Sequence, residues 1–162
     1  VGQPPHQCRG PGAELAVDRI NSANEPAHED QEDSIVKTAV TVAKMLVRLC
    51  GLVLIVLGVL FWTGHALTLV PVHMLFGFVL VLSLWTLAAL AARAGVNPGQ
   101  VVLAVAWGLV VPVLGLTQGM LLTGDTHWVI QVLHLLVGVG AIGQAEGLAA
   151  GIRQVAPRPA QA

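Results

Sequence analysis

Charged side chains are scarce in this sequence: Asp, Glu, Lys and Arg make up 10% of the 162 residues, while 55% are hydrophobic. A soluble domain of this size needs far more surface charge, so the composition excludes one. Cysteine is also nearly absent. Cys8 and Cys50 stand far apart in different surroundings, which argues against a disulfide and leaves Cys50 as a small apolar residue. No nucleophile–base–orienter set, Gly-rich phosphate loop or HExxH occurs, so a hydrolase or a nucleotide-driven pump has no basis here. The first apolar run begins only after residue 44 and no A-x-A site follows it, which speaks against a secretory signal peptide.

What is present is concentrated. Residues 1–44 hold seven of the nine acidic residues and read as a tail. Its first 34 residues are expected to be disordered for want of apolar side chains, and residues 35–44 could form a short amphipathic lead-in helix. The opening Val1 fits a GTG start, with Met45 as an alternative start. Residues 45–152 are almost continuous Leu, Val, Ala and Gly, and residues 153–162 are a short C-terminal tail. Four runs, about 45–64, 69–92, 101–122 and 127–150, approach or exceed the roughly 20 residues that cross a hydrocarbon core of about 30 Å. Short breaks separate them: Gly64-His65 with Pro71, Gly95-Val96-Asn97-Pro98-Gly99, and Thr123-Gly124-Asp125-Thr126. The runs are continuous instead of alternating, so helices are expected and a barrel is not. The predicted fold class is all-α, an integral membrane four-helix bundle.

All eight basic residues lie in the N-terminal region, in or beside the middle loop, or in the C-terminal tail. The positive-inside rule then puts both termini and the loop around residues 93–100 in the cytoplasm, with the other two loops outside. The net charge of −1 says little about partners beyond the lipid bilayer, and no nucleic-acid partner is expected. An internal repeat is also visible. His73-Met74-Leu75-Phe76-Gly77 lies over His134-Leu135-Leu136-Val137-Gly138, and the segment from Thr63 to Thr68 lies over Gln118 to Thr123. Two hairpins inserted alike would be parallel repeats about an axis along the membrane normal, bringing His73 and His134 to equal depth.

Intramembrane histidines are costly, and His65, His73, His127 and His134 all fall in the outer half. Two buried imidazoles at matched depth on facing helices are what axial ligation of a b-type haem requires. His73 and His134 are the expected iron ligands. Gly77 and Gly138, one turn below, leave room for the flat macrocycle. His65, His127 and Trp128 are expected at the membrane edge, near propionates. A second haem is disfavoured because its ligands would lie only about two turns from the first. Covalent attachment lacks its C-x-x-C-H. Zinc or copper is disfavoured too, with Asp125 the only nearby carboxylate and Met120 the only nearby sulfur. Glu146 is expected to pair with Arg93 or Arg153 or to serve as an inner proton site, and Gly140, Gly143, Gly147 and Gly151 to permit close helix approach.

The stretch Phe61 to Gly77, with Thr126 to His134, resembles small four-span membrane proteins of bacteria, over about residues 46–150. In arrangement it is also similar to membrane b-type cytochrome bundles, whose paired histidines on different spans hold haem. The resemblance implies a bacterial inner-membrane, multi-pass protein exchanging electrons with a quinone or an outer redox protein. It departs from the cytochrome b561 pattern, since no histidine lies in the inner half. Alternatives stay open: histidines that only hydrogen-bond neighbouring helices in a scaffold or complex subunit, quinone binding, a proton relay, or a small transporter. Assembly with copies of itself or with other chains is open as well.

Overall fold

The computed structural model describes residues 11–155, so residues 1–10, with Cys8, and residues 156–162 lie outside it. Four helices follow one another: α1 (Pro11–Trp62), α2 (Val70–Arg93), α3 (Pro98–Thr117) and α4 (His127–Val155). There is no strand among the described residues. Each helix holds a segment long and apolar enough to cross a membrane: Ser34–Trp62, Leu67–Arg93, Pro98–Met120 and His127–Val155. The chain divides into two compact units, Val1–Thr38 and Ala39–Ala162, and the bundle is the second. Helix is found from Pro11 onward, where composition led to an expectation of disorder. A shortage of apolar residues argues against a core, but Ala- and Glu-rich sequence still favours a helical backbone.

The middle connection is short because its residues stop one helix and start the next. Gly95 takes a left-handed φ of 80° after α2, and the Val96 amide donates to the Ala91 carbonyl at 3.0 Å, closing the last turn. Two residues on, Asn97 accepts from the Gly99 amide at 2.8 Å and Pro98 opens α3. Val96 itself is buried.

Burial is uneven along the bundle. The buried residues of α2 run from Leu80 to Ala91, and those of α4 lie mainly between Val137 and Ile152. The helices are therefore closely packed towards the middle loop and looser towards the other two loops. Two indoles fix the packing at mid-length. Trp85 on α2 donates its Nε1–H to the Val105 carbonyl of α3 at 3.2 Å, and Trp107 on α3 donates to the Val137 carbonyl of α4 at 2.9 Å. In each case the residue three further along the receiving helix is glycine. A Cβ on Gly108 would collide with the Trp85 indole, and one on Gly140 would lie 2.6 Å from Trp107 Cζ2. The same joint thus ties α2 to α3 and α3 to α4. Further down α4, Gly147 and Gly151 pack against Gln100 and Val96, so three of the four glycines expected to admit a neighbour do so. Gly143 meets nothing.

The first and last helices close the ring. A Cβ on Gly51 would lie 2.5 Å from Ile142, and Arg48 Nε donates to Glu146 Oε1 at 2.6 Å while Lys44 Nζ lies 3.3 Å from Oε2. This corrects the expectation that Glu146 pairs with Arg93 or Arg153. Because α1 and α4 are spatial neighbours, the cations at matching depth on α1 reach the carboxylate instead.

Replacing Gly140 with Val should displace the Trp107 indole and lower the stability of the detergent-solubilised protein by about 1–3 kcal/mol. Trp107→Phe, which loses only the hydrogen bond, should cost about 0.5–1.5 kcal/mol. Thermal unfolding followed by circular dichroism measures both.

Candidate functional site

Where the packing loosens, the four helices enclose a cavity of about 420 Å³. That is within the range of sites that hold a cofactor-sized molecule. His73 projects into it from the first turn of α2 and His134 from the third turn of α4. Their ring centroids are 6.3 Å apart with planes inclined at 46°, and the Phe61 ring packs against His73 with centroids 5.4 Å apart. The Nδ1 of each ring is buried without a hydrogen-bond partner. That is unusual in a protein interior, where buried polar atoms are nearly always paired, and it leaves both imidazoles unheld by the protein at that atom.

The glycines of the bundle are of three kinds. Gly51, Gly108 and Gly140 are pressed against side chains, whereas a Cβ on Gly58, Gly77 or Gly138 would meet nothing within 4 Å, and these three line the cavity. They are glycines that keep space open. Gly115 is a third case: its Cβ would lie 3.1 Å from His134 Cε1, so its lack of a side chain lets the imidazole lie against α3. Pro112, inside α3, lines the same wall.

The remaining polar residues of the lining are Trp62, Gln118, His127 and Gln131, and none of the lining residues is charged. His127, whose Nδ1 lies 3.3 Å from the Leu121 carbonyl, stands on the His134 face of α4 at the loop end. His65 is exposed, its Nδ1 lies 3.1 Å from Thr63 Oγ1, and it does not line the cavity; neither does Trp128. The cavity opens sideways as well. Val59, Met74, Phe78, Leu116 and Val139 both line it and are between 40% and 60% exposed.

The donor set decides which metal species this site could hold. No group of three or more His, Cys, Asp or Glu side chains is gathered among the described residues, so a bare zinc or copper ion would lack ligands. A porphyrin iron needs only two. The 6.3 Å between the ring centroids leaves room for one metal ion bonded to a nitrogen of each ring at about 2.0 Å. A quinone spanning both rings, with a hydrogen bond of about 2.9 Å at each end of its own ring, needs a wider gap.

Comparison with known protein families, curated proteins and solved structures finds no match. What the cavity does has to be read from its own chemistry. Sequence reasoning found the histidine pair and its glycines but not Gly58, Gly115 or Phe61. The signal for the first two was there, in glycines at corresponding places of the first and third apolar runs.

Gly77→Ala and Gly138→Ala should leave stability unchanged or raise it by up to about 1 kcal/mol, since each adds helix propensity and touches nothing. Gly115→Ala should lower it, by about 1–3 kcal/mol, through the His134 ring. Parallel thermal melts of the three variants separate open glycines from packed ones.

Proposed function

We propose that the chain is a small membrane protein that binds one haem b between His73 and His134 and takes part in electron transfer near the outer face of a bacterial inner membrane. The observation that carries this reading is the imidazole pair itself, with centroids 6.3 Å apart and both Nδ1 atoms buried and unpaired. His73 and His134 would hold the iron, the open space beside Gly58, Gly77 and Gly138 would admit the macrocycle, and Gly115 seats the His134 ring. Bound there, haem supplies reversible one-electron transfer. The apolar walls exclude water and set a low dielectric around the pair. His127, Gln118 and Gln131 are neutral donors for carboxylates at the loop end of the cavity.

The parallel-repeat reading draws support from the cavity walls. Ile55, Gly58, Val59 and Trp62 of α1 correspond in spacing to Pro112, Gly115, Leu116 and Gly119 of α3, all lining. Val70, His73, Met74, Gly77 and Phe78 of α2 correspond likewise to Gln131, His134, Leu135, Gly138 and Val139 of α4. The α1–α3 register differs by two residues from the alignment made on sequence. In this reading both termini and the middle loop are cytoplasmic, by the distribution of Lys and Arg. The cavity then lies in the outer half, and the electron partner is a quinone or an outer redox protein. A purely structural role for the histidines is the weaker reading, because imidazoles that hold helices together do so through hydrogen bonds, and these two make none at Nδ1.

The test is a dithionite-reduced minus oxidised spectrum of protein purified in detergent after expression with haem supply. A sharp low-spin b-type signal is expected in the wild type, lost in His73→Ala and His134→Ala, and lost without unfolding in Gly138→Leu. Folded wild-type protein without haem, or a His134→Ala variant with an unchanged spectrum, would overturn the proposal.

A further inference from the structure

At the closed end of the bundle the charges do not balance. Glu146 is shared by two cations, accepting from Arg48 Nε at 2.6 Å and lying 3.3 Å from Lys44 Nζ. Of the described side chains the only other carboxylate is Asp125, at the opposite end of the bundle. Among the described side chains, the cluster of Lys44, Arg48 and Glu146 therefore keeps one positive charge over. Arg48 engages Glu146 through Nε, no other hydrogen bond of Arg48 or Lys44 is found among the described residues, and the Arg48 side chain is 51% exposed. Lys44 stands one turn along the same face of α1, and its side chain is 18% exposed.

Depth sharpens the imbalance. Arg48 lies 14 residues before Trp62, about 21 Å along the helix, short of the roughly 30 Å of a hydrocarbon core. An unneutralised cation there is costly unless its head group reaches the lipid head groups. We propose that Arg48 and Lys44, held apart by Glu146, form a binding site for the phosphate of an anionic phospholipid in the leaflet at the closed end of the bundle. The free guanidinium edge matches phosphate geometry, and Lys44 adds a point charge. A zwitterionic lipid carries its own cation and leaves the excess in place. An anionic lipid removes it.

The site is independent of any haem and is tested on the full chain. Native mass spectrometry of protein exchanged from mixed phosphatidylcholine and phosphatidylglycerol should show preferential retention of phosphatidylglycerol. Arg48→Gln should reduce that preference about fivefold. Glu146→Gln frees both cations and should raise it, a gain that misfolding cannot produce. Arg93→Gln, at the same end of the molecule, should leave it unchanged. Equal retention of the two lipids by the wild type, no gain in Glu146→Gln, or an equal loss in Arg93→Gln would overturn the proposal.

Discussion

Helices in lipid gain nothing by hiding leucine from a solvent that is itself hydrocarbon, so association has to come from close approach and from the few polar groups available. This bundle meets that constraint with indoles laid on glycines. Trp85 over Gly108 and Trp107 over Gly140 set the spacing and rotation of three successive helices at mid-length. The Arg48–Glu146 pair and the Gly51–Ile142 contact bring in α1. Most of the buried residues lie on the middle-loop side of these joints, and the cavity lies on the other.

That division gives the histidines their setting. A bundle packed tightly along its whole length would press His73 and His134 against neighbours and leave no interior to line. Here Gly108, Gly140, Gly147 and Gly151 admit close neighbours, while Gly58, Gly77 and Gly138 leave open space beside the histidines. The unpaired Nδ1 atoms belong to the cavity side, where a polar group left without a partner is a standing cost to the fold. A fold keeps such a cost where it has a use.

Much of this was legible in the sequence. Four apolar runs gave four helices because length and continuity suffice for that inference, and Gly95 to Pro98 carried its own stop and start signals. The histidine pair was legible because His-x-x-x-Gly occurs twice, once in the second apolar run and once in the fourth. Other features were not. Which cation meets Glu146 depends on α1 lying beside α4, a fact of closure that no local pattern records. The roles of the tryptophans were invisible for the same reason, since each joint needs a carbonyl and a glycine on a different helix. His65 and Trp128 looked like site residues by proximity in the chain, but His65 stands in the loop after α1 and Trp128 is exposed on α4, and neither lines the cavity.

The side openings framed by Met74, Phe78, Leu116 and Val139 have a consequence for handling the protein. Acyl chains, or the detergent that replaces them, form part of the wall around whatever the cavity contains. The surrounding amphiphile is then a component of the site, competing for its space and setting its polarity. Two preparations identical in sequence and fold but differing in chain length of the amphiphile would be different hosts.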